Sequence, residues 1–330
     1  MVFYFYEDAM ESVRKISVDN PVPNSFHLSP WVGNQTPKEL KADTATAIAL
    51  RFIADKNHNT LFPHANIITS SHFNSDGLLA VFTLLYPDKA EPMAKTLIEV
   101  SEASDFSSFS SENGVQIHLL IEEMCHSEKS PLKKKWGSWF SSGQVESRYY
   151  KTLITEVYDI IEKKDQYRYL WEDRFNQITL SMEQFEKRKI GIEEYSDDRL
   201  SIIINDVRPA PQAIDYYCRG DMFLIVEDQS STKKNGNGSY AYELCYRYYS
   251  WADTVRRPAI LKAPLNHLAD YLNKEETSKS GKWETAPKGQ KPSSTVALTF
   301  SDRQGNKVLS TISPNKVTES VLHYIRKNKQ

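Results

Sequence analysis

The chain has 330 residues, 40% apolar, 12% aromatic and 25% charged, with only 12 glycines and 15 prolines. At roughly 100 to 200 residues per domain this is a folded protein of about two domains, and collagen-like or wholly disordered readings are excluded. Its 41 basic and 43 acidic residues give a net charge of -2, so no global positive field draws in nucleic acid, and strong binding to long duplexes is not expected.

At the start of the chain Glu7, Asp8 and Glu11 stand where an export signal needs basic and then apolar residues, so no export is expected. Asp43-Thr44 supplies capping oxygens ahead of an alanine-rich helix running through Ile53. Asn66 to Ser71 reads as a short buried strand and Gly77 to Phe82 as an apolar helix start, which together imply an α/β layer fold. The longest apolar stretch, Leu78 to Tyr86, is less than half of the ~20 residues that cross a bilayer, so no membrane partner is expected. Ser127 to Gly143, with Pro131, Lys133 to Lys135 and Gly137, reads as an exposed loop.

From Ser147 to Lys189 apolar residues recur at three- and four-residue intervals, the mark of one long helix or two. The period then changes to two. Arg199 to Asn205, Met222 to Glu227 and Tyr240 to Trp251 read as strands, with Asn235 to Gly238 connecting the last two. Thr277 to Ser294 reads as a loop, Thr295 to Phe300 and Lys307 to Ile312 as a strand pair, and Asn315 to Lys327 as an amphipathic helix. The expected organisation is α/β: a parallel-sheet domain over 1–145, a helical connector over 146–195 and a smaller β-rich α/β domain over 196–330. Cys125, Cys218 and Cys245 are odd in number and widely spaced, which fits a reducing cytoplasm better than a disulfide framework.

The turn His72-Phe73-Asn74-Ser75-Asp76-Gly77 carries the clearest chemistry. Alternate residues at the carboxyl end of a strand bring His72, Asn74 and Asp76 to nearly one side. That end is where open α/β sheets bind ligands, and the N-terminus of the next helix favours phosphate. One nitrogen and two oxygens suit Mn²⁺ or Mg²⁺, ions that generate hydroxide and neutralise a phosphoryl transition state. The plainer reading has His72 and Asn74 hydrogen-bonding the turn and Asp76 capping the helix at Leu78.

The run Ile67 to Leu78 resembles the first motif of the DHH phosphoesterases, in which acidic residues at alternate positions before a glycine bind manganese. The resemblance implies a parallel-sheet catalytic domain, a helical connector and a smaller C-terminal domain that grips substrate. Asn74 stands where that motif usually has aspartate, and the chain has no Asp-His-His triplet. The chain also resembles a bacterial family sharing Trp-x-Gly-Asn-x-Thr-Pro, Asp-Thr-x-Thr, His-Phe-x-x-Asp-Gly and x-Asp-Phe segments, here Trp31 to Pro37, Asp43 to Thr46, His72 to Gly77 and Ser104 to Phe106. That second likeness brings no activity with it.

The candidate metal ligands are therefore His72, Asn74, Asp76 and Asp105, with Asp76 and Asp105 as catalytic acids; Glu102, His118, His126, Asp43, His27 and Asn34 stand behind them. Arg247, Arg256 and Arg257 are candidates to grip substrate, since guanidinium geometry suits phosphate, although ordinary salt bridges are the simpler use. The expected reaction is hydrolysis of a nucleotide or short oligonucleotide by metal-activated water. The alternative is an inactive nucleotide-binding or sensor protein on the same scaffold.

Overall fold

Four short strands, β1 (Val2–Phe3), β2 (Lys15–Val18), β3 (Ser25–Leu28) and β4 (Ile67–Thr69), form an all-parallel sheet in the order β1-β4-β2-β3 in the computed structural model of the chain. The structure describes residues 1–56, 66–137, 145–230, 239–247, 252–257, 265–285 and 295–328. By contacts the chain forms two units, Met1–Gln177 with Trp251–Ala259, and Ile178–Ser250 with Ile260–Gln330.

The first unit adds helices α1 (Ala45–Ala54), α2 (Ser75–Leu85), α3 (Ala94–Phe106), α4 (Glu112–His126), α5 (Pro131–Trp136) and α6 (Val145–Glu162), and α7 (Arg168–Glu186) begins in it. Thr44 starts α1 because its side chain accepts from the Ala47 amide at 3.2 Å. Helix α2 is buried on every side, and only Leu85 of its residues escapes full burial. Burial of Leu78, Leu79, Val81, Phe82 and Leu84 contributes roughly 1.5–3 kcal/mol per side chain, enough to carry Ser75, Asp76 and Thr83 into the same helix. Helix α5 corrects the loop expected from Ser127: Pro131 at its first position and Ser130, whose side chain accepts from the Leu132 amide, make a turn of helix there.

The second unit is a mixed sheet of β5 (Gly191–Tyr195), β6 (Leu200–Asn205), β7 (Met222–Asp228), β8 (Tyr240–Tyr246), β9 (Lys282–Glu284) and β10 (Val296–Ser301), in the order β5-β6-β7-β8-β10-β9. Only β6 and β7 pair in parallel. Alternation divides its faces. Ile202, Leu224, Tyr242 and Phe300 enter a core with α9 (Asn266–Glu275) and α10 (Pro314–Lys327), whereas Ile203, Phe223 and Ile225 pack with Phe185 of α7 and Ile214 of α8 (Pro211–Tyr217).

The α/β class expected from the sequence is thus the class adopted: a parallel sheet near the start, many helices and a mixed sheet later. The apolar stripe from Ser147 is two helices, α6 and α7, and alternate residues of β8, Tyr240, Tyr242, Leu244 and Tyr246, line a packed sheet face. Lys307 to Ile312 forms no strand. Both edges of β10 are already taken by β8 and β9, which leaves that segment only the isolated bridges Ser301 to Lys307 and Tyr240 to Ser310. The loop expected over Thr277 to Ser294 contains β9, and Asn235 to Gly238 lies outside the described residues. Among the described residues no helix is long and apolar enough to cross a membrane.

Candidate metal centre

Strands β2 and β4 are direct neighbours, Ile16 facing Ile68 and Ser17 facing Thr69, so the residues beyond their carboxyl ends meet. Asp19 comes directly after β2 with a φ of 65°, a left-handed backbone that Asp tolerates better than most residues. Its side chain is fully buried. Oδ1 accepts from the Trp31 indole Nε1 at 3.1 Å, and Oδ2 lies 2.9 Å from His72 Nε2, an ion-pair approach that lacks hydrogen-bond alignment. Burial pushes the His72 pKa down, but the Asp19 carboxylate, with the Glu146 and Asp76 charges behind it, more than offsets this and the net direction is up.

The turn after β4 leads into α2, where Asn74 is the N-cap and accepts from the Gly77 amide at 2.6 Å. That bond directs the Asn74 carbonyl into the cap and leaves its amide nitrogen 3.5 Å from Asp105 Oδ1, so Asn74 faces the acids as a donor. Asp76 does not cap its own helix. Its Oδ2 accepts from the Ala45 amide at 2.6 Å and its Oδ1 from the Thr46 amide at 2.8 Å, so it caps the neighbouring α1; Thr46 Oγ1 also donates to the Asp76 carbonyl at 3.0 Å. The helix dipole favours a carboxylate in that place.

Asp105, buried near the end of α3, completes the group: Asp19, Asp76 and Asp105 each offer an oxygen within 4.8 Å of the others. Asp19 Oδ2 and Asp105 Oδ2 are buried without a hydrogen-bond partner. Burial, then the Asp76 and Asp19 charges, push the Asp105 pKa well up; burial and Asp19 raise Asp76 against the pull of the Thr46 and Ala45 bonds. At such spacing each like-charge pair costs on the order of 3 kcal/mol in a partly screened interior, so three ionised carboxylates require a cation or a proton among them. Orphaned oxygens and an all-carboxylate donor set fit a hard divalent ion such as Mn²⁺ or Mg²⁺. Gly77 keeps the space open, since a Cβ there would lie 2.5 Å from Tyr150 Oη and 3.4 Å from Asp19 Oδ2.

Two of the expected ligands, Asp76 and Asp105, therefore join the group, with His72 against Asp19 and Asn74 serving as a cap. Asp19 was not singled out by the sequence. Its only local signal is an acid and then Asn20 directly after Ile16-Ser17-Val18. Asp43 does not cap α1 either; it accepts from the Val255 and Arg256 amides at 2.5 and 2.9 Å and pairs with Arg257 at 2.9 Å. Arg257 is committed to Asp43 and, at 3.4 Å, to Glu102, while Arg256 is exposed.

Arg247 belongs to the second unit, where it pairs with Asp215 at 2.6 Å and donates to the Gly220 and Cys218 carbonyls. These bonds hold the guanidinium at the exit of β8. His118 is buried against Ser75 at 3.2 Å, and burial lowers its pKa. His126 is exposed beside Tyr149. His27 and Asn34 serve local turns, accepting from the Gln35 and Thr36 amides.

A family model described as "Family of unknown function (DUF6687)" matches residues 1–330, and the chain belongs to that family. Neither the curated proteins nor the solved structures give a match.

Proposed function

We propose that this member of DUF6687 is a divalent-metal-dependent phosphohydrolase of nucleotides or short oligonucleotides, with Asp19, Asp76 and Asp105 holding Mn²⁺ or Mg²⁺. The observation that carries the reading is the pair of buried oxygens without a hydrogen bond, Asp105 Oδ2 and Asp19 Oδ2, the latter facing only the His72 imidazole at 2.9 Å, within a three-carboxylate group at the carboxyl end of a parallel sheet. Such a group is costly to a fold that does not use it. The bound ion supplies Lewis acidity and an acidified water.

The chain's own residues do the rest. Trp31 and His72 fix the Asp19 carboxylate from two sides. The first amides of α1 orient Asp76, and the Asn74 amide faces Asp105. The Tyr150 hydroxyl, donating to the His72 carbonyl at 3.0 Å, holds the turn itself. Helices α1 and α2 both begin at this group, the first amides of α1 held by Asp76 and the Gly77 amide of α2 by Asn74.

One observation favours a second reading, a nucleotide-binding or sensor protein without turnover: Asp76 has both oxygens occupied by backbone amides and Asn74 offers a donor in place of a ligand, which lowers the charge available to an ion. Assays of bis-p-nitrophenyl phosphate and a dinucleotide panel with Mn²⁺, Mg²⁺ or EDTA separate the two. The hydrolase reading expects Mn²⁺-dependent turnover, reduced roughly 100-fold in Asp105→Asn. Nucleotide-dependent thermal stabilisation without turnover sinks it and supports the sensor.

A further inference from the structure

We propose that residues 252–257 form a positioning strap for the acid centre, with Asp43 and Arg257 as its positioning residues; the inference rests on reading the three carboxylates as cation ligands. The segment lies within Trp251–Ala259, which groups with the first unit although more than seventy residues separate it in sequence from the rest of that unit. Its contacts fall on one support of each carboxylate. Ala252 bridges to Trp31, whose indole holds Asp19. The amides of Val255 and Arg256 and the guanidinium of Arg257 converge on Asp43, and the amides two and three residues further on, Ala45 and Thr46, hold Asp76. The Arg257 guanidinium lies 4.0 Å over the ring of Phe106, the residue after Asp105.

The strap is fastened well beyond those three points. Asp253 donates its amide to the Pro30 carbonyl at 2.7 Å, and its carboxylate meets Lys41 at 2.8 Å and Asn34 at 3.2 Å. Thr254 Oγ1 closes the segment on the Arg257 carbonyl at 2.8 Å, and Arg257 Nη2 reaches Ser108 Oγ at 3.2 Å. Asp43 is buried, so its ion pair with Arg257 is weakly screened and sets the start of α1 firmly. Groups that orient ligands in this way change metal affinity without touching the ion.

The test compares wild type with Arg257→Gln, Arg257→Lys and, as a charge-matched control far out in solvent, Lys95→Gln, whose lysine side chain is 90% exposed. Mn²⁺ affinity is read by titration, and hydrogen exchange of the Ala45 and Thr46 amides by NMR in the metal-free protein. Arg257→Gln is expected to weaken Mn²⁺ about tenfold or more and to speed exchange at Ala45 and Thr46 by a similar factor, with partial recovery in Arg257→Lys and no change in Lys95→Gln. Unchanged affinity and unchanged exchange overturn the strap, even if thermal stability falls, because a loss of global stability alone leaves both the metal affinity and the local opening at Ala45 and Thr46 as they were. If wild type takes up no Mn²⁺, the cation reading fails, and the exchange at Ala45 and Thr46 alone decides the strap. Should Arg257→Gln fail to fold, Asp43→Asn carries the same comparison, since it keeps the amide acceptor and loses the ion pair.

Discussion

Two charges are buried at opposite ends of the same strand, and they are treated in opposite ways. Lys15 opens β2 and its ammonium meets four carbonyls, those of Met10, Val13, Glu11 and Asn24, at 2.9, 3.0, 3.1 and 3.4 Å. Asp19, directly after the strand, has one oxygen held by Trp31 and the other without a hydrogen bond, facing two further carboxylates. Burial lowers the Lys15 pKa, yet its donors are saturated and the fold gains an anchor. The contrast teaches that burial alone does not mark a site. A buried charge left undersatisfied among its own kind does.

The largest effect expected is on the saturated end. Lys15→Met removes a buried ammonium's hydrogen bonds to four carbonyls and should destabilise the protein by ~3 kcal/mol in urea unfolding, with Mn²⁺ affinity unchanged. A smaller loss would mean that those carbonyls find other partners. Gly77→Ala comes next, at about 1–3 kcal/mol, because the new methyl meets the Tyr150 hydroxyl. Tyr150→Phe should recover part of that loss, and a double-mutant cycle showing no coupling would refute the contact.

At the open end the sign reverses. In metal-free protein Asp105→Asn should stabilise by about 1 kcal/mol, since it removes like-charge repulsion, while abolishing any Mn²⁺-dependent rise in Tm. The smallest effect is its pH dependence. The Asp105 and Asp76 pKa values are raised, so the folded state holds these protons more tightly than the unfolded chain. The stability they contribute is full below the ordinary carboxylate range and is lost as pH rises through the raised values. The advantage of Asp105→Asn over wild type should therefore grow with pH in EDTA and vanish in Mn²⁺; a gap that shrinks with rising pH contradicts the assignment.

Legibility in the sequence tracks distance along the chain. The turn His72 to Gly77 stands out because a strand, a polar turn and an apolar helix are contiguous, and Asp105 because a short motif surrounds it. Asp19 is hidden, since the four residues of β2 are too few to show a period and its place beside Asp76 is set only by the pairing of β2 with β4. The role of Asp43 is concealed for the same reason. Thr44, its neighbour, takes the local cap, while Asp43 finds Arg257 at a separation of 214 residues. Asp76 sits in the expected turn but serves a different helix, because capping across elements leaves no trace in spacing. The α/β class is readable from the change of period, whereas the failed strand at Lys307 to Ile312 finds β10 already paired on both edges.

The central claim, that the open end of β2 holds a cation, is tested most directly by diffraction from crystals soaked in Mn²⁺ with data taken at the manganese absorption edge. One anomalous peak within coordination reach of Asp19 Oδ2 and Asp105 Oδ2, absent in Asp19→Asn, is the result predicted. No peak there, or a peak that survives the loss of the Asp19 carboxylate, contradicts it.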